Sequence, residues 1–291
     1  QATNDGGYVV GGRFEAENID LDDGVSIKAK KAEANGMVIK YNAKGETEWA
    51  QGIGGEKDTQ HSPEEEVLSI TEINNGDYIV VGHFESKTID LGNGVNLTKK
   101  SSPSSDLNGM IIAYNSEGKA KWAKQIGYTG DNKDGIYSVS ATNDGGFIMS
   151  GYTRWGKEDL GCGVSISAGG YIVKYNAKEK AEWAKCIKGD AITTTVTELS
   201  NGNYMAGGYY QNGAIQIDDK TLNLDNINDI LATDGFALKI TNAIGVSEIQ
   251  ELEVENKRKE YKITTDVKEI DNIKGGSISG EDEREYEVVK Y

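Results

Sequence analysis

Arg13, His83, Tyr152 and Tyr209 each follow a glycine, at Gly12, Gly82, Gly151 and Gly208, near the end of a phrase that recurs along the chain. Guanidinium, imidazole and phenol groups at equivalent positions of a repeat offer hydrogen bonds and flat faces, the chemistry of recognition rather than of bond cleavage. Trp155 and Tyr210 stand close behind Tyr152 and Tyr209 and add aromatic surface to the same end. These residues are the expected ligand-binding set. The plainer expectation is that they are ordinary strand-end residues covering a sheet edge.

Catalytic chemistry has less support. His61 and His83 are the only histidines, and no serine lies in a Gly-x-Ser-x-Gly elbow. His61 reads as a loop residue. Arg13 and Arg154, the two arginines within the repeats, are too few for an arginine cluster that would hold an anionic sugar. Asp20, Asp22 and Asp23 before Gly24, and the later group Asp218, Asp219 and Asp225, lack the alternating ligands and distal glutamate of a calcium loop. They read as turn residues. No catalytic residue and no metal ligand is assigned, and structural calcium held by loops of different repeats is the one cofactor left open. Two acidic loop residues acting as a glycosidase pair are the enzymatic alternative. Cys162 and Cys186 fall in one repeat and either form a disulfide or remain thiols.

A repeated unit must hold these groups in place. The phrases "TNDGGYVVGG", "INNGDYIVVG", "TNDGGFIMSG" and "LSNGNYMAGG" begin at Thr3, Ile73, Thr142 and Leu199, and a second phrase closes on Glu48-Trp49-Ala50, Lys121-Trp122-Ala123 and Glu182-Trp183-Ala184. In the second copy "EVLSITEI", "DYIVVGHF", "GMIIAYN" and "KAKWAKQIG" are strand-length runs rich in β-branched and aromatic residues. Asp5-Gly6, Asn75-Gly76, Asp144-Gly145 and Asn201-Gly202 are hairpin-turn pairs between the first and second runs. The expected fold is therefore all-β, a β-propeller-like array of about four four-stranded antiparallel blades. The array spans 1–254, with blades near 1–63, 64–133, 134–190 and 191–254, and 255–291 forms a linker and a short partial β module or closing strand.

Strand direction separates two faces. Connections from first to second and third to fourth strands are tight, whereas those from second to third strands are long and carry hairpins of their own, "IDLDDGVSI", "IDLGNGVNL" and "EDLGCGVSI". The loop-rich face, onto which Arg13, His83, Tyr152 and Tyr209 emerge, is the expected binding face. Trp49, Trp122 and Trp183 are expected to pack between neighbouring blades, and no quinone or nucleotide site follows from them. The first copy lacks an innermost strand. The segment "EYKITTDVKEI" from Glu260 is left with three roles: closing that blade, opening a fifth repeat, or starting a separate module.

Composition narrows the partners. A net charge of −16 over 291 residues argues against nucleic acid, which needs a basic patch. No apolar run reaches membrane-spanning length, so membrane insertion is not expected, and no export signal stands within the chain. Oligomeric state is left open.

The phrases "IDLGNGVNLTKK", "NGMIIAYNSEGKAKWAKQIG" and "NDGGFIMSGY" together resemble a family of bacterial secreted and surface-protein β-propeller repeats, the SBBP type, over about Gln1 to Glu251. The stretch from Tyr261 is similar to segments of modular, wall-attached surface proteins of Gram-positive bacteria. Glu179, where other turns have glycine, and Ile249, where other copies have tryptophan, depart from the pattern. The resemblance implies a location outside the cell or on the bacterial surface and no activity. The functional expectation is a non-enzymatic recognition or adhesion module that binds a host or environmental glycan or protein. The alternatives are a carbohydrate-active enzyme using acidic loop residues and a structural spacer of a larger surface protein.

Overall fold

The computed structural model describes residues 1–21, 24–30, 34–55, 63–100, 107–127, 134–218, 220–223, 233–241 and 246–252. His61, Asp22, Asp23, Asp219, Asp225 and the segment expected to form the closing strand or partial module lie outside these. The chain divides into a compact unit, Gln1–Val254, and a second, Glu255–Tyr291.

The compact unit is all-β. Strands β1 (Tyr8–Phe14), β2 (Asn18–Asp20), β3 (Ser26–Lys28), β4 (Asn35–Tyr41) and β5 (Thr47–Ile53) come from the first repeat, and β1-β4-β5 form a three-stranded sheet. The second repeat supplies β6 (Glu65–Glu72), β7 (Tyr78–Phe84), β8 (Thr88–Asp90), β9 (Asn96–Thr98), β10 (Asn108–Tyr114) and β11 (Ala120–Ile126), with sheet order β11-β10-β7-β6. Then follow β12 (Gly135–Ala141), β13 (Phe147–Gly161), β14 (Val164–Tyr175), β15 (Ala181–Glu198), β16 (Tyr204–Ile217), β17 (Lys220–Asn223), β18 (Thr233–Ile240) and β19 (Val246–Leu252). These last strands make one continuous curled sheet, β12-β13-β14-β15-β16-β18-β19, with β17 on β16.

Four separate four-stranded units were expected, and the second repeat alone forms one. The third and fourth join because β15 pairs with β14 over Ala181–Ile187 and with β16 from Lys188 to Glu198. No loop separates the two roles: the strand passes from Ile187 directly to Lys188 and runs on through Gly189 at φ 104°.

Turn chemistry sets the pairing. Gly6, Gly76, Gly145 and Gly202 sit at φ between 77° and 85°, the left-handed conformation that closes each first hairpin. Register shifts at Val67/Ser69, Ile136/Ser138 and Thr193/Thr195 then leave Leu68, Tyr137 and Thr194 as the extra residues of a bulge in each first strand. The bulge pushes a carbonyl onto the facing second strand. A Cβ at Gly82, Gly151 or Gly208 would lie 1.9, 2.3 or 2.0 Å from the oxygen of Glu66, Gly135 or Ile192, which explains why glycine recurs there.

The accessory hairpins do not stand free as binding loops. β2–β3 and β8–β9 approach β5 and β11 of their own repeats, and Ile27, Ile89 and Leu97 are buried beneath them. In the third repeat β13 and β14 simply extend into the same hairpin, with Ile166 buried.

Tryptophan fills the space between neighbouring sheets, as expected. Trp49 lies edge-on to Tyr78 at 5.5 Å, and its Nε1 donates to the Ser116 carbonyl at 3.0 Å. Trp183 meets Tyr204 of the next unit at 5.4 Å. Trp49 rests directly on Gly118, where an added Cβ would lie 2.5 Å from the ring. The equivalent of Gly118 in the third repeat is Glu179, a non-glycine residue at φ 59°, and Trp122, the counterpart of Trp49, is only half-buried with its Nε1 lacking a partner. Glu179→Gly removes both the backbone strain and the Cβ, so it is expected to stabilise the protein by about 1 kcal/mol. The partly exposed 4.0 Å contact of Glu179 with Lys121 offsets little of this. Thermal melting checks it, and a lower midpoint would contradict this account of Trp122.

Buried lysines complete the framework. Lys40, 1% exposed, donates to Asp5 at 2.7 Å and Glu48 at 2.9 Å, and Lys174 repeats the arrangement with Asp144 and Glu182. The second repeat has Ala113 at that register and uses Lys121 with Asp77 instead. Hydrogen bonding from Lys40 holds the Asp5 carboxyl well below its ordinary range.

Candidate functional site

Equivalent positions of the second strands face first strands in three units, where β7 pairs with the start of β6, β13 with the start of β12 and β16 with β15. Arg13 and His83 are the penultimate residues of β1 and β7, and Tyr152 and Tyr209 occupy the matching positions of β13 and β16. Two groups of side chains form there.

The first group is ionic. Arg13 bridges Glu15 at 2.9 Å and Glu64 at 3.2 Å, and His83 Nε2 lies 3.7 Å from Glu66. Burial pushes the His83 imidazole below its usual pKa despite the nearby glutamates, so it is neutral at pH 7. With its guanidinium already engaged by carboxylates, Arg13 fixes the start of β6 more than it offers a free cation.

The second group is aromatic. Tyr152 and Tyr209 lie within electrostatic reach of each other and of Tyr137, the bulge residue of β12, and Asp134, Asp190 and Arg154 lie within the same reach of Tyr152. Tyr209 is 37% exposed, unusually open for so large a side chain in this fold. Burial, together with the neighbouring carboxylates, raises the phenols of Tyr137 and Tyr152, which keeps both protonated and able to donate as well as accept. Asp134 is buried and accepts the Arg154 backbone N–H at 2.9 Å, and Tyr171 donates from below to the Gly135 carbonyl at 3.1 Å. The base of the cluster is thus rigid. Three ring systems from β12, β13 and β16 with carboxylate and guanidinium groups beside them can stack on a flat apolar face and hydrogen-bond its rim.

The sequence reading missed Tyr137. Its signal was the spacing of apolar residues in the first strands: Val67 and Ile70, and Ile136 and Val139, are buried three residues apart where an unbroken strand alternates by two. The reading also placed Tyr210 on the rim. Tyr210 is instead fully buried, its ring 6.4 Å from Phe236, because a residue next to outward-facing Tyr209 must point to the opposite face. Trp155 lies on β13, and its side chain is outside the described residues.

Among the described residues Glu65 is the one acid raised toward neutrality. Burial pushes it up to about 7, one oxygen accepts the Ser86 N–H at 2.9 Å and the other has no partner. A raised carboxyl suits a general acid, but Glu65 is 0% exposed and cannot meet a substrate. Asp20 pairs with Asn18 and Asp218 with Lys185. Among the described residues no cluster of three or more His, Cys, Asp or Glu is placed to hold a metal. Cys162 and Cys186 are free thiols, with Cys186 Sγ accepting the Ser167 N–H at 3.3 Å. Among the described residues no helix is long and apolar enough to cross a membrane.

No protein-family model and no curated protein matches the sequence. A crystal structure of a protein of unknown function from Bacteroides caccae is similar over 74% of this chain and 89% of that one, at 9% identity and a TM-score of 0.26.

Proposed function

We propose that this chain is a non-enzymatic recognition module, displayed outside a bacterial cell, that binds a host or environmental glycan through Tyr137, Tyr152 and Tyr209. The observation that carries the reading is the convergence of three tyrosines from separate strands on a rigid base, with Tyr209 open to solvent. Sugar rings present an apolar face to such rings, and Asp190 and Arg154 supply hydrogen bonds to hydroxyls at its edge. The net charge of −16 favours neutral or basic ligands over anionic ones. No cofactor enters the proposal.

The repeats are read as blades of a propeller-like array. In support, β6 adjoins β12 and β12 adjoins β15, so first strands of successive units lie side by side, as they do around a common axis. The resemblance to surface-protein repeats supports the extracellular location.

Glycan arrays and chromogenic glycosides test the proposal together. Saturable binding to a carbohydrate without turnover is the expected result. Turnover would replace it with the enzymatic reading, binding to proteins alone would shift the ligand class, and the absence of turnover and of any binding would leave a spacer.

A further inference from the structure

The tyrosine cluster has a layout and a charge that narrow what it can hold. Tyr152 stands opposite Gly135 of β12 and Gly170 of β14, so neither cross-strand partner has a side chain to cover its ring. Tyr137 fills the space over one of these glycines: a Cβ at Gly135 would lie 3.4 Å from its Cζ and 3.5 Å from its phenol oxygen. Directly opposed residues share a face, so the Tyr137 and Tyr152 rings lie side by side. Tyr209 stands opposite Ile192 of β15 and Gly235 of β18. β15 is in turn held against β12 where Ser138, next to Tyr137, accepts the Val196 N–H at 3.3 Å. Tyr137 and Tyr152 are half-buried and Tyr209 is exposed, so all three rings reach solvent.

Charge then selects among flat ligands. Asp134, which precedes Gly135, is buried, and Asp190 on β15 is exposed. Arg154 sets one cation against these two carboxylates around Tyr152, in a chain of net charge −16. The faces of aromatic rings carry negative potential, so rings and carboxylates together attract a cation. An alkylated ammonium fits best, because its methyl groups meet the rings without hydrogen bonds to be lost from water.

We propose that Tyr137, Tyr152 and Tyr209 hold a quaternary ammonium substituent of the glycan, with Asp134 and Asp190 balancing its charge. The inference rests on the reading of this cluster as a glycan site and names the group on the glycan that it recognises.

The test titrates the full chain, at constant ionic strength, with choline and with the uncharged dimethylbutanol in which carbon replaces the nitrogen. Choline should bind saturably and the alcohol at least about tenfold more weakly, since only the cation gains from the ring faces. Tyr209→Phe keeps a ring face and should bind choline as wild type does, whereas Tyr209→Leu should lose about tenfold, both melting with wild type because the side chain is exposed. Asp190→Asn should weaken choline binding and Arg154→Gln should strengthen it. Failure of choline to bind, equal binding of the alcohol, or weaker binding in Arg154→Gln overturns the proposal. Those failures leave the glycan reading standing if arrayed neutral sugars still bind and lose affinity in Tyr152→Ala. Choline binding over a silent array removes the glycan and keeps the ammonium site. A choline-substituted oligosaccharide and phosphatidylcholine vesicles separate the two carriers of the group: retention on the oligosaccharide is expected, and retention on vesicles alone overturns the glycan as carrier.

Discussion

Trp49→Ala is expected to lower stability by about 4 kcal/mol, among the largest effects of any single truncation in the fold. The ring is 9% exposed, lies between Tyr78 and Tyr114 of the neighbouring sheet, and donates to the Ser116 carbonyl at 3.0 Å. Truncation opens a void between two sheets and strips that carbonyl of its donor. For a unit of this size the melting midpoint should fall by roughly 10 °C. Trp49→Phe, which keeps most of the ring and loses only the hydrogen bond, should cost about 1–2 kcal/mol. A midpoint unchanged in Trp49→Ala would show that the tryptophans are not the inter-sheet filler.

The second large effect is a dependence of stability on pH centred on Glu65. Burial raises its carboxyl from 4.5 to about 7 in the folded protein. Between these values the folded state holds a proton that the unfolded state has released, so stability is fully present below pH 4.5 and lost as pH rises through 7. The loss amounts to roughly 3 kcal/mol. Glu65→Gln keeps an acceptor for the Ser86 N–H and cannot ionise. It should match wild type near pH 4.5 and exceed it by about that amount at pH 8 in denaturant titrations. Parallel pH profiles for the two proteins would contradict the assignment.

Much of the framework was legible because the turns and strands repeat. Asn75-Gly76 and its equivalents marked the hairpins, and the tryptophans marked the junctions between sheets. The run-on of β15 was not legible, since Gly189 resembles a breaker locally while the residues on either side of it, Lys188 and Asp190, both pair with β16. The rim was legible as a position but not as a cluster. Arg13 is consumed by Glu15 and Glu64, and His83 is half-buried beside Glu66, so the matching column resolves into an ionic half and an aromatic half. Tyr137 escaped because a bulge turns it outward against simple alternation. Tyr210 was misplaced by the opposite error, neglect of that alternation.

The most direct measurement is ligand binding and thermal stability of one set of alanine variants. With a glycan identified from the array, Tyr152→Ala and Tyr209→Ala should each weaken binding by about tenfold or more, with melting temperatures held close to wild type. Lys44→Ala and Glu117→Ala, in the tight turns of the opposite face, should change neither. Wild-type affinity in the tyrosine variants, or ligand density in a crystal beside Asn42 and Asn115, would contradict the placement of recognition at Tyr137, Tyr152 and Tyr209.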